Sequence, residues 1–424
     1  MHGISGTADP LVLAGLRAMS LFAALRPPKE ILFGKGQSDA IGLVAARHGT
    51  RALVCTDARF ASTPSFSKIA DKLNGAGIAV HVFDRVEPDV PYDSVALCVE
   101  DARSFGPDVV IGLGGGSCLD MAKCAALILR HGGALRDYYG EFKVRGPILP
   151  VIAVPTTAGT GSEATPVAVI SDASRTLKVG ISSPYLIPVA AICDPELTMT
   201  CPPSLTAIAG ADALTHAIEA YTAGRRGTDA ELAQKQVFIG KSALSDHYAL
   251  LAIKLLGRSL ERAYRNGAEE DARADVMMGA LAAGCAFGTA GTAAAHAIQY
   301  PVGALTRTPH GLGVAAVLPY VMTYNRQASL AEMAEIAETL GVGVADNSDE
   351  NADAAIVEVA RIFAAIGITP TLAKLGLTED KLDWTAEQAV GIERLIKNNP
   401  RPIDLTAMKR LIRAAYDGDL TAAA

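Results

Sequence analysis

Five short apolar runs in the first half of the chain end in Gly, Asp or Thr, and this repetition limits the possible folds more than any other feature. They are RALVCTD (51–57), IAVHVFD (78–84), PDVVIGLGGG (107–116), PILPVIAVPTT (147–157) and VAAICD (189–194). Helical stretches lie between several of them, including 117–131. Strands alternating with helices predict a parallel sheet covered on both faces. Beyond Pro203 the texture changes and strand-like runs become scarce. Helical periodicity covers 204–223, 229–265, 270–299, 311–325, 329–340, 350–365, 379–396 and 403–416. The turn residues of DPELTMTCPP (194–203) place a boundary near 195–203. The fold class is therefore α/β plus all-α: a parallel-sheet domain over 1–198, then a helical domain over 199–424.

Composition excludes several functions. A net charge of −7 gives no general electrostatic hold on nucleic acid or an anionic membrane. No apolar run reaches the roughly 20 residues a membrane span requires. The seven cysteines form no CxxC pair and several sit in apolar runs, which points to reduced core residues and a cytoplasmic protein. LVLAGLRAMSLFAALRPP (11–28) is broken by Arg17, ended by Pro27-Pro28 and lacks a basic start. It reads as an amphipathic helix lying on the body of the protein or on a partner subunit, not as a signal peptide; because it is acid-poor after Asp9, a transit peptide is the other reading.

In PDVVIGLGGGSCLDMAK a buried strand runs into Gly114-Gly115-Gly116-Ser117 and a helix begins at once. Glycines allow positive φ and a close backbone approach. The new helix presents free N–H groups and its positive dipole end to a phosphate. Ser117 can cap that helix and touch a ligand. Asp120 and Lys123 follow at helical spacing, and Asp120 joins the cofactor-binding candidates. A tight strand–helix turn explains the triplet equally well on its own, and this is not the GxGxxG fingerprint. A second loop, VPTTAGTGSEAT (154–165), crowds Thr156, Thr157, Gly159, Thr160, Gly161 and Ser162 at another strand end. Two such loops form a natural cofactor crevice. Asp57 closes the first of the five runs. A carboxylate there accepts hydrogen bonds from a ribose diol and repels a 2′-phosphate, favouring NAD over NADP; a helix N-cap is the other reading.

The helical half holds the second constellation. In GADALTHAIEAY (210–221) Asp212 and His216 are four apart and project from one helix face. TAAAHAIQYPVGALTRTPHG adds His296 and His310. Three histidines and a carboxylate suit a divalent metal with an open position for substrate. Taken singly, each histidine also fits a hydrogen-bonded core residue. Pro301 is expected to end the helix carrying His296. The chain would then return His310, just before a helix starting near Gly311, to the side of His296.

GGGSCLDMAK, PTTAGTGSE, GADALTHAIEAY and HAIQYPVGALTRTPHG resemble, in order and spacing, the group III (iron-type) metal-dependent alcohol dehydrogenases. The resemblance implies a dehydroquinate-synthase-like fold, with an N-terminal dinucleotide-binding domain, a C-terminal metal- and substrate-binding domain and the active site between them. It implies that Gly115, Gly116 and Ser117 hold the pyrophosphate of NAD and that Thr156, Thr157 and Thr160 lie along the cofactor. Asp57 matches the acidic position associated with NAD preference. Asp212, His216, His296 and His310 match the four metal ligands, iron first and zinc as the alternative, and Phe287 matches a position lining the substrate cleft. Many members carry HxxxHP where this chain reads HAIQYP, so Tyr300 replaces a histidine and becomes the candidate to pass a proton. The implied reaction is reversible hydride transfer between NAD and a small alcohol, aldehyde or ketone, in a homo-oligomer such as a dimer. VFIGKSALSDHYA (237–249) and Tyr300 are similar to the hydroxyacid–oxoacid transhydrogenase branch. A dehydroquinate-synthase-type lyase shares the general fold.

Overall fold

The computed structural model describes residues 22–424 except 176, 228 and 345–346. Of the N-terminal helix expected over 11–28, residues 11–21 lie outside the described residues and 22–28 form no helix.

All five apolar runs form strands of one sheet; four are buried on both of its faces, and the one at 79–83 is half-buried at its edge. β2 (Arg51–Cys55), β3 (Ala79–Phe83), β4 (Val109–Gly114), β6 (Val151–Pro155) and β9 (Ala190–Cys193) are joined by β1 (Glu30–Phe33). The order is β1-β9-β6-β4-β2-β3 and every pairing is parallel. β1 was not among the expected strands. It is four residues long at a sheet edge, with none of the long apolar patterning that marks β4 or β6. A second sheet, β5 (Gly140–Glu141), β8 (Val179–Ser182) and β7 (Val167–Ile170), is also additional.

The connection after β2 leads to β3 on one side, whereas the connection after β4 leads to β6 on the other. β2 and β4 are neighbours, so a crevice opens between their C-terminal ends, where ligands bind open α/β sheets.

From Pro203 onward the described residues form helices packed on one large core, which includes Leu214, Ile253, Ala283, Ile298 and Val317. Four expectations need correction. The stretch 229–265 divides into Leu232–Lys235 and Ala243–Arg265. Gly240 between them stands at φ 78°, where a Cβ would lie 2.2 Å from the Gly224 carbonyl oxygen. The stretch 270–299 divides at Gly291 (φ 84°) into Glu270–Ala290 and Ala294–Thr306, bent by 101°. Pro301 does not end its helix, which runs on to Thr306 and stops at Arg307 in the left-handed conformation. The proline costs about 3 kcal/mol in a helix interior. Burial of Ile298 and Val302 on either side returns roughly 1.5–3 kcal/mol each. In addition, 379–396 is a short 3-10 turn followed by Leu382–Val390 and Glu393–Ile396. Among the described residues no single helix is long and apolar enough to cross a membrane.

Candidate active site

The helix Gly116–His131 starts directly after β4, with Gly115 as its N-cap and no side chain capping it. Ser117 is therefore not the cap; its Oγ accepts from the Asp89 backbone N–H at 3.1 Å and ties the helix start to the loop after β3. A Cβ on Gly116 would lie 2.5 Å from Thr160 Cγ2, so this glycine is required by the approach of the second loop. Asp57 is a helix N-cap that also faces the cleft. Its Oδ1 accepts from Phe60 N at 2.9 Å as the N-cap of Ala58–Ala61, and it also lines the cleft beside Gly115 and Gly116.

Lys123 is fully buried and anchors the second loop. Its Nζ donates to the carbonyls of Ser162 (2.7 Å), Thr165 (3.0 Å) and Val167 (2.8 Å) and to Ser162 Oγ (2.8 Å). Burial brings its amine down to about 8. Asp120 accepts from Ser162 Oγ (2.6 Å) and Val169 N (2.9 Å), so both its oxygens are engaged within the protein. Gly161, at φ 60°, packs on Gly284, and a Cβ there would meet Gly284 Cα at 2.6 Å. The loop is thus pressed against the helix Glu270–Ala290. Thr157 and Thr160 reach the cleft wall, but Thr156 does not. It continues the sheet interior, its N–H donating to Gly114 O and its carbonyl accepting from Cys201 Sγ.

The far wall belongs to the helices. Asp212 and His216 stand one turn apart on Pro203–Thr222, His296 on Ala294–Thr306 and His310 at the first position of His310–Asn325. The Nε2 atoms of His216, His296 and His310 lie 3.7, 3.9 and 3.9 Å from a single oxygen, Asp212 Oδ1. Asp212, His216 and His296 are buried and form the tightest group, their ligand atoms within 4.8 Å of one another. The His310 side chain is 28% exposed at the rim. Ligands about 2.0–2.2 Å from one ion stand roughly 3–4 Å from each other, as each of the three Nε2 atoms does from Asp212 Oδ1.

Two of the converging atoms, Asp212 Oδ1 and His296 Nε2, are buried and have no hydrogen-bond partner among the described residues. Burial pushes the Asp212 carboxyl up to about 6, which leaves it ionised at neutral pH. Burial, with His296 adding to it, holds His216 and His310 well below the usual imidazole range and so neutral. An ionised carboxylate among neutral imidazoles, with orphaned acceptors, is a donor set that fits a divalent cation.

Glu219 is part of this site and was not singled out in the sequence. Its Oε2 accepts from His296 Nδ1 at 2.6 Å and from Ala293 N at 2.8 Å, and its Oε1 from Ala295 N at 2.7 Å. The Glu219 contact sets the His296 ring with Nε2 turned toward Asp212 Oδ1, 3.9 Å away. The signal was its spacing: Glu219 is seven residues after Asp212 and three after His216, on the same helix face. Phe287 stacks on His216 with centroids 4.1 Å apart. Tyr300, one turn beyond His296, lies 6.1 Å from His310 ring to ring. The sheet loops and helical residues line one cleft of about 550 Å³, which brings Asp57, Gly115 and Ser117 into the same space as His216, His296 and His310.

Two models of one family cover the chain, "Iron-containing alcohol dehydrogenase" over residues 28–195 and "Fe-containing alcohol dehydrogenase family, C-terminal" over 206–416. Long-chain-alcohol dehydrogenase 1 of Geobacillus thermodenitrificans is 37% identical over 95% of this chain and 98% of its own. The NAD-dependent methanol dehydrogenase of Bacillus methanolicus is 33% identical over 92% of this chain and 98% of its own. The crystal structure of a 1,3-propanediol oxidoreductase superposes with a TM-score of 0.87 at 31% identity, covering 93% of this chain and 100% of that one. These matches run across nearly the full length of the chain, and the chain belongs to the iron-containing alcohol dehydrogenase family.

Proposed function

We propose that this protein catalyses reversible, NAD-linked oxidation of a small alcohol to its aldehyde, with Asp212, His216, His296 and His310 holding one divalent metal, iron ahead of zinc. The observation that carries the reading is the convergence of three imidazole Nε2 atoms on Asp212 Oδ1 in the cleft that the glycine loop opens into. A bound divalent ion would supply Lewis acidity to the substrate oxygen.

The chain's own residues do the rest. Gly115, Gly116 and Ser117 offer the helix N-terminus to the cofactor pyrophosphate. Asp57 receives ribose hydroxyls, and Thr157 and Thr160 border the cofactor. Phe287 and the buried helix walls keep water from the reacting carbon. Tyr300 passes the hydroxyl proton outward, directly or through water. In balance, the alcohol carbon gives a hydride to nicotinamide and the hydroxyl gives a proton to solvent. In this reading residues 1–198 serve the dinucleotide and 199–424 the metal and substrate. A cytoplasmic homo-oligomer is part of the proposal; all seven cysteines are free and buried, in keeping with a reducing compartment. The transhydrogenase and lyase alternatives are not favoured, since the relatives described above are named as dehydrogenases or oxidoreductases.

The test is NADH formation by protein reconstituted with Fe2+ or Zn2+, across a panel of alcohols. Turnover that requires both metal and NAD is the expected result. Absence of NADH with every alcohol, in protein that binds metal and NAD, would refute the reading.

A further inference from the structure

We propose that the preferred substrate is an alcohol carrying a carboxylate at its far end, received by Arg394. This inference rests on the dehydrogenase reading and names the substrate class.

The cleft does not end at the histidines. Tyr300 borders both the 550 Å³ cleft and a second cavity of about 830 Å³ outside it. Lys178 and Arg394 are the other two residues that line both. A substrate with its hydroxyl among the histidines therefore extends past Tyr300 into a space bounded by Arg394, Lys178 and, farther out, Arg175.

The charge in that outer space is opposite to that of the molecule. The chain carries −7 overall, yet the outer cavity has three cationic side chains and one carboxylate, Glu141. Glu141 Oε2 is already engaged, accepting from Val237 N at 2.7 Å. Lys178 is engaged too, paired with Asp89 at 2.5 Å. Arg394 is different. It is half-buried, and among the described residues it makes neither an ion pair nor a hydrogen bond; its guanidinium rests on the Phe238 ring, 4.9 Å from the centroid. A guanidinium held over a ring face by cation–π attraction keeps its N–H groups for a partner. A planar carboxylate matches that edge with two parallel hydrogen bonds, which a neutral alcohol tail cannot make. Phe238 also lines the inner cleft, so an apolar spacer between hydroxyl and carboxylate has an aromatic wall.

The reaction on this class balances as HO–CH2–(CH2)n–COO⁻ plus NAD+ giving OHC–(CH2)n–COO⁻, NADH and H+. The carboxylate is unchanged throughout and serves only to hold the substrate.

The experiment compares matched pairs in the metal-reconstituted enzyme: 3-hydroxypropanoate with 1-propanol, 4-hydroxybutanoate with 1-butanol and 5-hydroxypentanoate with 1-pentanol. In at least one pair the carboxylate should have the higher kcat/KM, by about 10- to 100-fold, the range of a hydrogen bond to a charged group. Arg394→Gln should lower the ratio of carboxylate to neutral kcat/KM by a similar factor, mainly through KM, and Arg394→Lys should recover part of it. Neutral alcohols preferred in every pair by the unaltered enzyme would overturn the proposal, as would an unchanged ratio in Arg394→Gln. A binding measurement separates this failure from failure of the dehydrogenase reading. Butanoate should bind the NADH-loaded protein more tightly than butanamide, and Arg394→Gln should abolish the difference. That result, without turnover of any alcohol, would sink the dehydrogenase reading and keep the anion site; equal binding of the two would sink the anion site.

Discussion

The two walls of the cleft are built on opposite terms. On the sheet side, the charged groups and Ser117 are satisfied within the protein, although the Thr156 hydroxyl has no partner among the described residues: Lys123 is bound by carbonyls of the second loop and β7, Asp120 by Ser162 and Val169, and Ser117 by the Asp89 N–H. That wall is shaped before any cofactor arrives. On the helical side, Asp212 Oδ1 and His296 Nε2 are buried without a hydrogen-bond partner among the described residues. A buried polar atom left so costs about 1–3 kcal/mol, and a cation removes that cost. Cofactor and metal should therefore have unequal effects on stability, because one docks on a finished surface and the other completes an unfinished one.

The largest effect should come from stripping the metal. Chelation should abolish turnover and weaken hydrogen-exchange protection in Pro203–Thr222 and Ala294–Thr306, leaving β4 and β6 protected. Removing NAD should change neither pattern. Equal loss of protection in sheet and helices on chelation would erase the contrast between the walls.

Next in size is Glu219→Gln. The amide can still receive one backbone N–H, but it no longer presents a charged acceptor to His296 Nδ1. Metal affinity and kcat should fall about 10- to 100-fold, the usual cost of losing such a supporting carboxylate. An unaltered metal Kd would show that Glu219 only packs the helix.

On the sheet side, Gly116→Val should weaken NAD binding about 10-fold or more, because the new side chain must displace Thr160 or the helix start. Metal content should stay at its original value. Unchanged NAD affinity in the folded variant would detach this turn from the cofactor.

How much of this contrast was legible beforehand differs between the walls too. Strand runs such as VVIGLG and VIAVP announced the sheet because they are buried on both faces, whereas edge strand β1 has no such run. The Asp212–His216 pair was readable as one helical turn. That His296 and His310 come to the same place depends on the 101° bend at Gly291 and on a helix that continues through Pro301, neither of which local preference predicts. Glu219 had the right spacing but looked like any acidic helix residue. Thr156 was misplaced because a threonine after a strand gives no sign of facing the core. Asp120 and Lys123 were noticed, but their partners 39 to 49 residues away in the second loop and β7 are a product of the fold.

A smaller effect concerns Glu163, buried within the second loop. Burial raises its carboxyl from 4.5 to about 7. Between those values the folded chain keeps a proton that the unfolded chain has released, so stability falls as pH rises through that window. Glu163→Gln removes this dependence. Its stability relative to the unaltered protein should rise by up to about 3 kcal/mol between pH 4.5 and 7.5, read as denaturation midpoints. A difference that stays flat across that range would place the Glu163 carboxylate in a better-solvated setting than its burial indicates.

The central claim is that one divalent ion sits where the three imidazoles meet Asp212. The most direct measurement is calorimetric titration of Fe2+, under anaerobic conditions, into metal-free protein and its Asp212→Ala and His310→Ala variants. The unaltered chain should bind one ion per chain, Asp212→Ala should bind none, and His310→Ala, which loses only the rim ligand, should bind more weakly. One ion per chain at unchanged affinity in Asp212→Ala would contradict the account.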